Sequence, residues 1–206
     1  MLTLYDMRRS GNAYKARLLL SLLAIPHRVI TVNLAAKEQM RPDYLAINPL
    51  HTVPVVDDDG TIIRDSAAVL VYLATKFDAH RNWYPADAAG AAKVQQWLAY
   101  ANNEILNTLA AARAIGNGMR QGDLAEAQKK SRGVLSFVES QLAGKSYLET
   151  GSPTIADIAC YPYCAMIGEG GIELSGYPAI SSWCRRIESL KGYVALPPRP
   201  MPPDWQ

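Results

Sequence analysis

Cysteine is scarce in this chain and comes late. The 206 residues hold three, Cys160, Cys164 and Cys184, and no thiol precedes the first. An odd number set in apolar helical sequence fits buried thiols in a reducing compartment better than disulfides. Histidine is as rare, at positions 27, 51 and 80 only. Cys160 and Cys164 have i,i+4 spacing, yet too few further ligands exist for a zinc site, and no metal is expected. Clusters of one charge are absent too, because 21 basic and 19 acidic side chains intersperse to a net charge of +2. That excludes a nucleic-acid footprint. No apolar run approaches the length that spans a bilayer. The opening MLTLYDMRRS sets its charges behind a short apolar run, the reverse of a signal peptide. The expectation is a soluble, cytoplasmic protein with no nucleic-acid or membrane partner.

Apolar residues are plentiful, at 49% of the chain, enough for one large or two modest packed domains. The first half alternates element types. Strands are predicted over Leu2–Asp6, Arg28–Val32, Val55–Asp57 and Thr61–Arg64, with helices over Asn12–Ala24, Pro42–Ile47 and Ser66–Phe77, the order βαβαββα. Asp59-Gly60 between two β-branched runs reads as a tight hairpin, whereas strands separated by helices imply parallel crossovers. The result is a four-stranded sheet with helices on both faces. A polar, turn-rich stretch, DAHRNWYPADAAG, then marks a boundary at residues 79–88.

Beyond it strand signals vanish. Helical patterns cover Ala89–Gly116, Asp123–Ala143, Thr154–Met166 and Ala179–Lys191, before a tail, LPPRPMPPDWQ, too proline-rich for a helix. The fold class is therefore α/β plus all-α, with domains 1–78 and 89–206. Thr154-Ile155-Ala156-Asp157 reads as a capping box with Asp in the Glu place, and Pro153 with Ile158 as its staple.

Chemistry concentrates between His51 and Leu73, HTVPVVDDDGTIIRDSAAVLVYL. An X-Pro bond costs only about 0.5–1 kcal/mol to hold cis, and proline at a strand's start sacrifices no ladder donor. Val53, before Pro54, is thus free to offer its N–H and C=O to an extended peptide. Thirteen residues on, Ser66 opens a helix, where unpaired N–H groups and partial positive charge collect, with the carboxylate of Asp65 beside it. That pair suits an amino acid's carboxylate and ammonium together.

The βαβαββα unit, the Val53-Pro54 pair before its third strand and Asp65-Ser66 at its third helix resemble the cytosolic glutathione transferase superfamily. So do Ser10-Gly11-Asn12 leading into YKARLLL, Asn48-Pro49, and Thr154-Ile155-Ala156-Asp157 in the helical half. The SGN opening is similar to bacterial serine- or asparagine-type members. The resemblance covers essentially the whole chain. It implies a thioredoxin-like domain that binds glutathione, an all-helical domain that supplies a hydrophobic electrophile's pocket, and a homodimer.

Glutathione's thiol, with a pKa near 8.5, is only a few per cent thiolate at neutral pH. Lowering that value by two units requires about 2.7 kcal/mol of preferential stabilisation. The hydroxyl of Ser10 or the amide of Asn12, ahead of the first helix, is the candidate donor, although either also serves as an N-cap. Tyr5 is a third candidate, since some classes use a tyrosine near the end of the first strand, but here it falls inside the strand pattern. Val53 and Pro54 are assigned to the cysteinyl backbone, and Asp65 and Ser66 to the γ-glutamyl end. Thr52 stands where relatives often carry Lys or Gln, which leaves the glycyl carboxylate to Thr52 or to His51 beside it. Tyr100, Asn103 and Arg113, with Trp97, recur along one predicted helix and are the candidate electrophile contacts.

Three functional readings follow. One is transfer of glutathione sulfur to an electrophile, with hydroperoxide reduction by the same thiolate. A second is a glutathione-dependent isomerase or a disulfide or dehydroascorbate reductase. The reductases of this family use a cysteine where this chain has Ser10-Gly11-Asn12-Ala13, and the isomerases a Ser-Ser-Cys type opening. The third is a non-catalytic glutathione-fold module serving assembly or ligand storage.

Overall fold

The computed structural model describes residues 1–196; the tail expected to be non-helical lies, from residue 197 onward, outside them. The chain divides into two compact units, Met1–Ala79 joined by the segment that begins at Lys191, and His80–Leu190.

In the first unit β1 (Leu2–Asp6) alternates buried and half-buried residues, the period-two signature of a strand packed on one face. Strand β2 (Arg28–Thr31) pairs with it in parallel, as a helical crossover requires. Strand β3 (Val55–Asp58) runs antiparallel to β1 and to β4 (Thr61–Arg64). The sheet order is β2-β1-β3-β4. Asp59 and Gly60, with φ of 50° and 91°, form the tight turn between β3 and β4, since positive φ at both central residues matches the sheet's twist. Helix α1 (Gly11–Leu22) is buried almost all round. Helix α3 (Ser66–Phe77) buries Ser66, Val69, Leu70, Leu73 and Ala74, the i, i+3, i+4 stripe of an amphipathic helix. Between β2 and β3 lie a 3-10 turn, Glu38–Met40, and the short α2 (Pro42–Ile47).

The segment after Leu190 belongs to this unit rather than to the helices before it. The Tyr14 hydroxyl donates to the Val194 carbonyl. Gly192, at φ +90°, sits so close to α1 that a Cβ there would lie 2.8 Å from the Ser21 carbonyl oxygen, so only glycine fits.

The second unit is all helical: α4 (Ala88–Tyr100), α5 (Leu109–Gly116), α6 (Leu124–Leu142), α7 (Ile155–Ala165) and α8 (Pro178–Glu188). The helix expected over 89–116 is present but irregular, with two α segments joined by a distorted helical stretch. After Tyr100 the chain winds into a π turn, Ala101–Ile105. Thr108, distorted to φ −119°, ψ −72° but still right-handed, keeps the helical bonds from its N–H to the Glu104 carbonyl and from Ala112 N to its own carbonyl, and its hydroxyl also donates to the Glu104 carbonyl.

The capping box forms, and it does more than cap. Asp157 is fully buried and accepts from Thr154 N and Oγ1, from Leu148 N, and from Trp183 Nε1 at 2.9 Å on α8. Burial raises its pKa against the pull of those four donors. Trp183 also packs edge-on against Tyr161, 6.2 Å between centroids. Helix α8 is capped from outside its own segment, by the Glu139 carboxylate on Ala179 N and Ile180 N. Removing the acceptor strands several buried donors at once, each costing about 1–3 kcal/mol. Asp157→Ala is therefore expected to lose about 3 kcal/mol or more in urea denaturation of the full chain, and Asp157→Asn, which keeps one acceptor, clearly less.

Candidate functional site

Three loops of the first unit carry the residues singled out from sequence. The first joins β1 to α1. Asp6 is buried and takes Arg17 Nη1 on both carboxylate oxygens, at 2.5 and 2.6 Å, while Arg17 Nη2 donates to the Arg8 carbonyl at 2.9 Å. A charge-assisted clamp of this kind fixes the loop that delivers Ser10. Ser10 is the N-cap, its Oγ accepting from Ala13 N at 3.1 Å. Capping uses a lone pair and leaves the hydroxyl proton available, and that proton has no acceptor among the described residues. Asn12, in the first turn, is half-buried, with its Oδ1 buried and without a partner. An acceptor has the wrong sign for a thiolate, so the Nδ2 end is the only side-chain donor Asn12 has. Tyr5 packs edge-on against Tyr44, 6.0 Å between centroids, within a cluster that includes Ala13, Val53 and Val55.

The second loop joins α2 to β3, and Asn48 organises it. Fully buried, Asn48 donates from Nδ2 to Thr52 O (2.8 Å) and Thr52 Oγ1 (3.2 Å) and accepts from Leu50 N on Oδ1 and from His51 N on its carbonyl. The Tyr44 hydroxyl adds a 2.6 Å bond to the same Thr52 carbonyl, and burial pushes that phenol up to about 12, so it stays a donor. His51 holds a left-handed φ of 49°. The Val53–Pro54 bond is cis. The Val53 side chain is anchored in the core cluster, while its N–H and C=O meet no partner among the described residues. His51 and Thr52 are exposed.

The third loop joins β4 to α3. Asp65 adopts φ 72°, ψ 134°, a conformation that costs a non-glycine residue on the order of 1–3 kcal/mol and that collects at functional sites. Its Oδ1 accepts from Ala67 N (2.8 Å) and Ala68 N (3.1 Å). Ser66 is buried, and its Oγ has no partner. Among the described residues the buried side-chain oxygens without a hydrogen-bond partner are those of Asn12, Gln39 and Ser66. All three lie in this unit, where the sequence-based glutathione candidates lie. Gln39 escaped sequence analysis because it sits in a polar stretch without period or motif.

In the second unit Tyr100 is half-buried against Trp97 and Phe137, at 5.6 and 4.9 Å between centroids, and burial raises its phenol to about 12. Asn103 is exposed on the π turn. Arg113 is buried, its Nε 2.7 Å from Glu169 Oε2, which also takes Asn117 Nδ2 at 2.7 Å. The three cysteines are free and buried. Burial pushes the Cys184 thiol up to about 12 and that of Cys164 well above its ordinary value. Among the described residues no three His, Cys, Asp or Glu side chains gather as metal ligands, and no helix is long and apolar enough to cross a membrane.

Residues 4–81 match the family of the glutathione S-transferase N-terminal domain, and residues 96–191 that of the C-terminal domain. Glutathione S-transferase 1 of Manduca sexta is 28% identical over 199 residues, which cover 94% of this chain and 90% of that one. A glutathione S-transferase structure from Pseudomonas fluorescens superposes with a TM-score of 0.88 at 31% identity, covering 95% of this chain and 98% of the other. A glutathione transferase homologue from Drosophila mojavensis, solved with bound glutathione, gives 0.84 at 28% identity over 92% of this chain and 88% of its own. The chain belongs to the glutathione S-transferase family, with its thioredoxin-like first domain and all-helical second.

Proposed function

We propose that this chain is a cytoplasmic, homodimeric glutathione transferase that attacks hydrophobic electrophiles with the thiolate of bound glutathione. The observation that carries the reading is the Ser66 hydroxyl, buried without a partner at the start of α3 beside the strained Asp65 cap. A buried polar group left unsatisfied costs about 1–3 kcal/mol, and a ligand's carboxylate there recovers it. Asp65 supplies the negative charge for the γ-glutamyl ammonium. The unpaired N–H and C=O of Val53 take the cysteinyl backbone as an added strand, with Pro54 behind it, and Thr52 and His51 face the glycyl carboxylate.

In the reaction the glutathione thiol loses its proton to solvent, the sulfur forms a bond to the electrophilic carbon, and the leaving group departs with the bonding pair. Ser10 donates to the sulfur anion, with the N-terminus of α1 adding partial positive charge; Asn12 Nδ2 is the second donor. The cysteines are all buried, and burial raises the thiols of Cys164 and Cys184, which supports a sulfur supplied by the cosubstrate. Tyr100 and Asn103 are the electrophile contacts. Arg113, engaged with Glu169, is the positioning residue among the three. Hydroperoxide reduction by the same thiolate belongs to this reading. A non-catalytic glutathione module is the rival, and glutathione-dependent turnover of aryl halides, epoxides or peroxides separates the two.

Three measurements test it. Asp65→Ala combined with Ser66→Ala is expected to weaken glutathione binding at least about tenfold in calorimetry, the equivalent of one lost charge-assisted contact; unchanged affinity removes the site assignment. Ser10→Ala should raise the bound thiol's pKa, so that turnover falls far more near pH 7 than at pH 9, where the thiolate forms unaided. Ser10→Asp keeps the N-cap but cannot donate as a carboxylate, and should show the same profile; recovery of wild-type rates by Asp would assign Ser10 to capping alone. Sedimentation at micromolar concentration should give a closed pair, the commonest symmetry, and a monomer would count against the dimer.

A further inference from the structure

A cavity opens in the first unit between β2 and α2. It encloses about 340 Å3, at the lower end of the roughly 300–1,000 Å3 range of small-molecule sites. Its apolar wall is Ile30 from β2, Val32 just after it and Ile47 from α2, with the rings of Tyr5 and Tyr44. None of Ser10, Asn12, His51, Thr52, Val53, Asp65 or Ser66 lines it.

The polar groups at this cavity are unevenly committed. The Tyr44 hydroxyl is spent on Thr52 O, so a ligand meets the ring of Tyr44. Arg41 is neutralised by Glu38, 3.3 Å away, and the other Glu38 oxygen accepts from Asn33 N. Asp43 uses Oδ1 to accept from Tyr44 N and has no partner for Oδ2 among the described residues. Two carboxylates against one guanidinium leave the rim net negative. Two edge-to-face tyrosine rings, 6.0 Å apart, add the electron-rich faces that attract cations.

We propose that this cavity binds a small organic cation of the arylalkylammonium class, its ring against Ile30, Val32 and Ile47 and its ammonium on Asp43 Oδ2 and the tyrosine faces. The site is separate from the one proposed for glutathione, and the two ligands bind without displacing each other.

The probe is 2-phenylethylammonium, titrated into the full-length 15N-labelled protein and followed through the amide signals of Ile30, Thr31 and Val32. Saturable shifts confined to this region are expected, and 3-phenylpropionate, the anionic counterpart, should leave the same signals in place. Asp43→Asn, which keeps an acceptor for Tyr44 N, should weaken the amine about tenfold, the worth of one charge-assisted bond. Thr31→Trp, placed on an exposed lining position of β2, should abolish binding by filling the mouth. Thermal melts of both variants check the fold, and Asp43→Asn carries the test should Thr31→Trp unfold. Absence of saturable shifts, equal or tighter binding of the anion, wild-type affinity in Asp43→Asn, or displacement of the amine by saturating glutathione would each overturn the assignment. Because the amine titration needs no glutathione, its failure is distinguishable from failure of the transferase reading.

Discussion

Asn48 is fully buried and its side chain holds the backbone of Leu50 and Thr52, while its own carbonyl takes His51 N. One amide thus closes the whole loop between α2 and β3. Apart from Tyr44 on Thr52 and the Val53 side chain in the core, that closure is what holds the left-handed turn at His51 and the presentation of Val53, since the first residue in the sheet ladder is Val55. The second lone pair of the Thr52 carbonyl is met by Tyr44, so the loop's inner polar groups are satisfied and its outward ones, on Val53, are not. A backbone held rigid with unpaired groups is preorganised for an extended ligand, because little ordering entropy is left to lose on binding.

The two units divide their polar groups differently. In the helical unit the buried and half-buried charges are spent on the fold: Asp157 gathers four donors, Glu169 pairs with Arg113 and Asn117, and Glu139 caps α8. In the first unit the buried oxygens of Asn12, Gln39 and Ser66 have no hydrogen-bond partner among the described residues. A fold tolerates such deficits where a ligand completes them. The strained cap at Asp65 belongs to the same pattern, since a glycine would relieve its φ of 72° but would remove both the cap and the charge.

Much of this was legible because it rests on local chemistry. Asp59-Gly60 marks a turn that needs positive φ, Val53-Pro54 marks a cis bond, and the spacing from Ser66 to Ala74 marks one buried helix face. Ser10 and Thr154 were legible as caps for the same reason. What escaped was decided by distant partners. No glycine or proline interrupts 91–115, so nothing in helix propensity marks the π turn at Ala101–Ile105 or the distortion at Thr108. The burial of Arg113 depends on Glu169, 56 residues away, and the solvated look of an arginine in sequence carries no trace of it. The hub role of Asn48 was hidden likewise: Asn48-Pro49 stood out as a motif, but its partner Tyr44 lies a helical turn earlier and Thr52 beyond a proline.

The return of the chain at Gly192 and Val194 onto α1 sets an order of assembly. The polypeptide emerges from the ribosome N-terminus first, and domains generally fold as they appear. The glutathione-fold unit is written first, yet its contacts between Tyr14, Ser21 and the 192–194 segment exist only after the entire helical unit has been translated. The unit that begins to fold first is thus completed only after the helical unit has been made, and the nascent chain holds it incomplete until the 192–194 segment has emerged.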